Sequence, residues 1–386
     1  MLKQPLPALH KTTRTEITSL FGEAKLVLEE TPKAISPFGG LASFISFLGQ
    51  IGFAGQVQQH LPFAEPASNN AIPLAHALTA FLMSVVVGAR RFAHCEWRRA
   101  DRVLHALLGM ARFPGDDTIR NFFLRFGQAD IERFWRPLWR WLLRLVKCPA
   151  AGFSLDLDST VFCREGQQEG ARKGFNPRRQ GRHSHHPLLA EAQFILHGWL
   201  RSGNTGPARG VIPFLQEARA LLPEGTWLRT VRADSGFFDG AFLDFWEERC
   251  LPYVVVARLT SSLKRQGAGI KDWTVVDAHH AAGEFTVKLF GWSKERRFVV
   301  VRERVRETKA PVGRRLLDVP GFTFRVWVTN RSQSAVELWR DYNGRAGIEQ
   351  RIEELKHDLW LPTGSACNPS SRRRQRSWRC SAPSTC

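Results

Sequence analysis

At 386 residues and 43% hydrophobic content the chain is long enough for two or three packed units, which excludes a minimal stapled scaffold and an unfolded polar chain. Lys and Arg number 55 against 36 Asp and Glu, a formal charge of +19 with a pI near 10.4, so the expected partner is polyanionic: nucleic acid or, by the same sum, an acidic membrane surface. The seven cysteines are odd in number, widely spaced and without a C-x-x-C pair, which excludes a disulfide framework and a zinc ribbon.

Residues 1–35 carry mixed charge and little periodicity and read as a flexible arm. The first residues, MLKQPLPALHKTTRTEITSLF, hold no uninterrupted apolar h-region and no small-residue cleavage site, so a cytoplasmic protein is expected. The longest apolar run, residues 71–89, is broken by Pro73, His76, Thr79 and Ser84 and followed by Arg90 and Arg91, which argues against a membrane span. Residues 36–150 have helical periodicity, with a turn at Pro114-Gly115 and a helix cap at Asp116 or Asp117. The last segment of this region, IERFWRPLWRWLLRLV, alternates Trp135, Trp139 and Trp141 with Arg133, Arg136, Arg140 and Arg144. An amphipathic helix that buries Trp and Leu and solvates Arg explains it without a ligand, and DNA contact by the arginines is compatible with that.

At Gly152 the period changes to two: GFSLDLDSTVF alternates Leu155 and Leu157 with Asp156 and Asp158, a strand pattern. A Gly- and Arg-rich loop, EGARKGFNPRRQGRHSHHP, comes next, then a strand-like AEAQFILHGWL, a helical GVIPFLQEARALL and a strand in WLRTVRADSGF. A helix, DGAFLDFWEERC, and an apolar strand, PYVVVARL, complete an α/β order over a domain spanning 151–361. Residues 272–329 interrupt it with β-rich segments and read as an insertion; a helix resumes at Ser334 and runs to about Leu361.

Asp158 stands where a strand would end or expose one face, and Asp234 in another strand at the start of a Gly-containing turn; each is a plausible metal ligand, though an Asp so placed commonly just caps the next helix or turn. In DYNGRAGIEQRIEELKHDL, Tyr342, Arg345, Glu349 and Lys356 fall within an arc of about 60° on one helix face, beside an apolar stripe of Ile348, Ile352, Leu355 and Leu359. Ordinary surface ion pairs account for the same spacing. His183, His185 and His186 lie in the basic loop without matched acidic or Cys partners, so no metal role is assigned to them.

The spacing Y-x2-R-x3-E-x6-K resembles the signature of the YREK group of DDE transposases from bacterial insertion sequences. LDLDSTVFCREGQQEGARKGFNPRRQGRHSHHPLLA is similar to the first-Asp region of the branch typified by insertion sequence 1380, and RADSGF resembles its second-Asp motif. The resemblance implies an α/β, RNase-H-like catalytic domain with a β-rich insertion, preceded by a helical DNA-binding region that helps to recognise terminal repeats. On that match Asp158, Asp234 and Glu349 are expected to hold divalent metal, two Mg²⁺ with Mn²⁺ as substitute, and Asp156 on the same strand face competes for the first position. Shared acidic oxygens suit two such ions ~3.5 to 4 Å apart, one at the attacking and one at the leaving oxygen. The resemblance further implies that Tyr342, Arg345 and Lys356 touch DNA near the cleaved end. Trp292 is similar in location to a base-stacking tryptophan of related transposases, with packing of the β-rich region as the alternative. The implied reaction is cut-and-paste transposition by a synaptic homodimer on terminal inverted repeats and target DNA. The alternatives are a catalytically inactive DNA-binding remnant or repressor, and a nuclease that cuts without joining.

Where relatives of that branch continue with further helix, residues 362–386 are dense in Ser, Arg, Pro and Cys without apolar periodicity, and disorder is expected there. This composition reads as translation out of frame, an expectation that sequencing the locus checks: a family-like C-terminus in another frame supports it, and an uninterrupted frame without such a remnant sinks it.

Overall fold

A computed structural model of the chain describes residues 14–18, 25–29, 36–163, 171–174, 180–304 and 322–357, with the backbone alone for 14–18, 25–29, 163, 180, 181 and 355–357. The expected C-terminal tail therefore lies outside the described residues. Within the expected N-terminal arm, β1 (Arg14–Thr18) and β2 (Lys25–Glu29) pair antiparallel.

The helical region contains α1 (Leu41–Gln50), α2 (Phe53–His60), α3 (Leu74–Val86), a 3-10 helix (Phe92–Ala100), α4 (Arg102–Leu108), α5 (Asp116–Leu124) and α6 (Gln128–Arg144). Helices α1 and α2 are separated by Gly52, whose φ of 73° lies in the left-handed region that glycine enters at no steric cost. α6 behaves as its pattern predicts: Phe134, Leu138 and Leu143 are buried while Arg133, Arg136, Arg140 and Arg144 are exposed. Trp139 on α6 donates from Nε1 to the carbonyl of Ile195 at 3.0 Å, which ties the helical region to the sheet that follows. No helix among the described residues is long and apolar enough to cross a membrane.

The remainder of the described chain builds one eleven-stranded sheet. In chain order its elements are β3 (Phe153–Cys163), β4 (Arg172–Lys173), β5 (Gln180–Leu189), β6 (Phe194–Ile195), β7 (Trp199–Ser202), α7 (Val211–Ala220), β8 (Leu228–Ala233), α8 (Gly240–Glu247), β9 (Tyr253–Val256), α9 (Ser261–Ala268), β10 (Thr274–Val275), β11 (His280–Val287), β12 (Arg296–Arg304), β13 (Phe322–Thr329), α10 (Ala335–Asn343) and α11 (Ala346–His357). The strand order is β10-β11-β12-β13-β9-β8-β3-β5-β4, with β6 and β7 also paired to β5. β3, β8 and β9 run parallel to their neighbours in that trio, and the other pairs are antiparallel. The β-rich segment read at 272–329 continues the sheet from the β9 edge through β13, so its strands share one hydrogen-bonded surface with β3 and β8.

Alternation along the strands separates two faces. Leu155, Leu157, Val231, Ala233, Tyr253, Val255, Phe298 and Val328 point to α7, α8 and α9, where Phe214, Leu215, Phe242, Trp246 and Leu263 complete the main core. Val254, Val299, Val301 and Trp327 point the opposite way and pack under Leu338 of α10; Leu188 packs under Ile348 and Ile352 of α11. α10 opens with a capping box, Ser334 with Glu337, as its S-x-x-E sequence dictates.

Two readings from the sequence change. The histidine segment is not a loop but the heart of β5, held between β3 on one side and β6 and β7 on the other. Seven consecutive residues, 183–189, are buried, and the first four are His183, Ser184, His185 and His186, so the apolar alternation that announces a half-buried strand is missing. The single helix expected from Ser334 is interrupted between α10 and α11, where Arg345 N and Ile348 N bond to carbonyls three residues back, Tyr342 O and Arg345 O. A Cβ at Gly344 would stand 2.9 Å from Arg232 Nη1, so glycine is needed for that guanidinium to pass beneath the end of α10.

Candidate active site

β3 and β8 are adjacent and parallel, with Leu157 opposite Ala233 as the last registered pair. Asp158 and Asp234 are the next residues along each chain: β8 ends at Ala233 and Asp234 opens the following turn, while β3 runs on to Cys163 paired with β5 alone, so Asp158 sits where β8 drops away from β3. Because Leu155 and Leu157 are committed to the main core, Asp156 and Asp158 face the side covered by α10 and α11.

The two aspartates meet different neighbours. Asp156 is fully buried and bidentate with Arg232, its cross-strand partner on β8, at 2.6 and 2.9 Å. Burial pushes the Asp156 carboxyl up, and the hydrogen bonds and charge of Arg232 oppose it. Arg232 also donates from Nη1 to the carbonyl of Asp341 at 2.5 Å, so the pair anchors α10 to the sheet. Asp158 keeps more access, with 17% of its side chain exposed, and accepts from Ser159 N at 2.8 Å. Burial also pushes Asp158 up; Arg345 opposes this, and the charges of Asp234 and Glu349 add to it. Three carboxylates therefore repel one another in this corner of the sheet.

Asp234 has an extended backbone and caps the 3-10 turn Ser235–Phe237, its Oδ1 accepting from Gly236 N at 2.9 Å. Glu349, in the first turn of α11, has a side chain 70% exposed. Between Asp158 and Glu349 lies the guanidinium of Arg345: Nη2 is 3.3 Å from Asp158 Oδ1, Nη1 is 3.4 Å from Glu349 Oε1, and Nη2 donates to Leu157 O at 2.8 Å. Arg345 Nε is buried without a hydrogen-bond partner among the described residues. Tyr342 faces inward, its hydroxyl making a long 3.5 Å bond to the carbonyl of Ala233, next to Asp234, and its ring 5.6 Å from that of Trp327. Burial pushes the Tyr342 hydroxyl up to about 12, with Arg345 opposing and Asp234 and Glu349 adding to the rise.

The structure thus brings Asp158, Asp234, Tyr342, Arg345 and Glu349 together where β8 ends beside β3. The backbone of Lys356 is in α11 and its side chain lies outside the described residues. Trp292 is elsewhere, in the turn between β11 and β12, half-buried against Phe238 at 5.3 Å and Phe298 at 6.0 Å with Arg296 over its ring at 4.7 Å. These contacts are those of the packing alternative, and Trp292 stands apart from the carboxylates.

Sequence reading gave no role to Arg232 or to the placement of His186. Arg232 occupies Asp156 and leaves Asp158 to other neighbours, and nothing in LRTVRA singles it out, because the strand also carries Arg229 and Thr230. His186 is the direct cross-strand partner of Asp158, with its Nε2 2.8 Å from Ser184 Oγ. His185, on the other face, packs against Phe214 and Phe237, and burial holds its pKa down at about 2, a neutral ring.

Carboxylate oxygens are the donors that Mg²⁺ prefers, so the chemistry of Asp158, Asp234 and Glu349 fits that ion. The arrangement is open: among the described residues no three His, Cys, Asp or Glu side chains stand close enough to clasp a metal, and Arg345 fills the space between Asp158 and Glu349.

No curated protein matches the chain. Among solved structures it is similar to piggyBac transposase in a cryo-EM synaptic complex with hairpin DNA, at 12% identity and a TM-score of 0.46, over 82% of this chain and 67% of that one. The family described as Transposase DDE domain group 1 matches residues 18–368. That match spans both aspartates, the glutamate and every element from β3 to α11, and the chain belongs to this family of DDE transposases.

Proposed function

We infer that the chain is the transposase of a bacterial insertion sequence, acting at the nucleoid, which cleaves its element's ends and joins them to target DNA by cut-and-paste transposition. The observation that carries this reading is the placement of Asp158 on β3 and Asp234 just past β8 directly after the last registered pair of these parallel strands, within a DDE family match, with Glu349 on α11 close enough for its charge to act on Asp158. The strand order β7-β5-β3-β8-β9, three antiparallel strands followed by two parallel ones reached through helices, supports an RNase-H-like core with β10 to β13 as its insertion. The Y-x2-R-x3-E-x6-K spacing supports the YREK group and the insertion sequence 1380 branch.

Asp158, Asp234 and Glu349 would hold two Mg²⁺, or Mn²⁺ in their place, which when bound activate a nucleophilic oxygen and stabilise the leaving one. The chain's own residues divide the remaining work. Arg345 bridges the Asp158 and Glu349 carboxylates and offsets their mutual repulsion, and Arg232 keeps Asp156 out of the site. Tyr342, Arg345 and Lys356 are assigned to the DNA near the cleaved end, and Trp292 to a stacked base, on the resemblance. Partners follow in kind: terminal inverted repeats and target duplex, bound by a homodimer in the synaptic complex.

The test is cleavage of labelled element ends with Mg²⁺ or Mn²⁺ by the full chain and by Asp158→Ala, Asp234→Ala and Glu349→Ala. Loss of nicking and joining in each variant supports the reading. Cutting without joined products turns it into a nuclease, and repeat binding without any metal-dependent nicking into a DNA-binding remnant.

A further inference from the structure

Residues 90–102 hold five arginines against Glu96 and Asp101, a formal +3. Most of this segment is the nine-residue 3-10 helix Phe92–Ala100, longer than the single turns in which that conformation usually occurs. With three residues per turn, side chains at i and i+3 eclipse and the helix has three ridges.

Two ridges are fixed to the protein. On the first, Cys95 is buried, Arg98 lies over the ring of Phe38 at 4.2 Å, and Asp101, just past the helix, accepts from Ser36 Oγ at 2.7 Å and Leu104 N at 2.9 Å. On the second, Glu96 accepts from Asp116 N at 2.8 Å and pairs with Arg99 at 2.8 Å. A Cβ at Gly115 would fall 2.5 Å from Glu96 Oε1, so glycine there allows the docking. The third ridge, Arg91, His94, Trp97 and Ala100, faces outward. Eclipsing stacks the His94 and Trp97 rings 4.5 Å apart and within 10° of parallel, and Trp97 remains 65% exposed. Arg91, on the same ridge, and Arg99, two residues beyond Trp97 and more than half exposed despite its pair with Glu96, border this stretch of the helix.

An indole left in water, propped flat by a second ring and bordered by arginines, is preorganised to stack with little ordering cost. A lone aromatic among arginines lacks the broad apolar face with which a helix enters a lipid interface. We propose that this ridge is a DNA-contact surface in which Trp97, backed by His94, packs against a base or deoxyribose while Arg91 and Arg99 meet the neighbouring phosphates. The proposal rests on the transposase reading and deepens it by naming where the helical region meets DNA.

The experiment measures binding of the full chain to a fluorescein-labelled duplex of mixed sequence by anisotropy over a salt series, with melting temperatures as a fold control. Trp97→Ala is expected to weaken binding about ten-fold at unchanged melting temperature, Trp97→Phe to retain most of it. Arg91→Ala with Arg99→Ala is expected to reduce the slope of log affinity against log salt by about 1.8, two phosphate contacts' worth. Wild-type affinity and slope in all of these variants overturn the proposal, as does a loss confined to variants that melt early. Asp158→Ala separates this from the parent reading: it keeps duplex binding, so a chain that binds through the ridge but shows no metal-dependent cleavage contradicts only the parent.

Discussion

Asp156 and Asp158 sit two residues apart on one strand face, and Arg232 is what distinguishes them. Removing Asp156 strands a buried guanidinium, so Asp156→Ala is expected to cost about 3–5 kcal/mol in denaturant unfolding. Glu349→Gln, at an exposed side chain, is expected to leave stability unchanged and to lower metal-dependent end cleavage by more than about 10²-fold, read from initial rates. Asp158 adds a pH signature. Its pKa is raised above the ordinary 3.8, chiefly by burial, so over the window above 3.8 the folded chain holds a proton that the unfolded chain has released. Stability tied to this group is greatest below 3.8 and falls as pH rises through the raised value. The stability of Asp158→Asn relative to wild type should therefore increase from acid toward neutral pH, and a flat difference across unfolding curves at both ends contradicts the assignment.

The turn between β11 and β12 is held by a charge cluster. Arg296, almost wholly buried at the start of β12, pairs with Glu247 at 2.9 Å and Asp244 at 2.6 Å on α8, and Tyr253 of β9 donates to Glu247 at 2.5 Å. Burial pushes Glu247 up, but hydrogen bonds from Arg296, Tyr253 and Lys294 outweigh it and hold the carboxyl at about 2. A depressed carboxyl stabilises above its ordinary 4.5 and loses that contribution as pH falls toward 2. Arg296→Ala should cost about 3–5 kcal/mol at neutral pH and flatten the loss of stability across that acid window, measured by urea titrations. At this scale the sequence was unevenly legible. The strand β3 and the helix α6 were readable because their apolar residues follow the period of the element. β5 was not, because burial of three histidines and a serine between flanking strands replaces the apolar code with polar residues that only tertiary packing satisfies. The break between α10 and α11 was equally hidden: the 3.6-residue pattern runs through Gly344, and the close approach of Arg232 from β8 at that glycine is a tertiary contact.

Across the whole molecule, alternation of strand and helix announced a mixed α/β sheet, while the registers that make the site could not be read from a linear pattern. That Leu157 faces Ala233, which delivers Asp158 beside Asp234, depends on cross-strand geometry. The excess of cations gave the partner class early, and it predicts that duplex affinity falls by roughly 10³-fold or more between about 50 and 200 mM salt if six or more phosphates are contacted. The most direct measurement of the central claim is end cleavage and strand transfer on the element's own labelled ends with Mg²⁺, comparing the full chain with Asp158→Ala, Asp234→Ala and Glu349→Ala at equal DNA occupancy. The account predicts nicked and joined products from the wild type and neither from any of the three, with binding retained; undiminished cleavage by any one of them contradicts its place in the site.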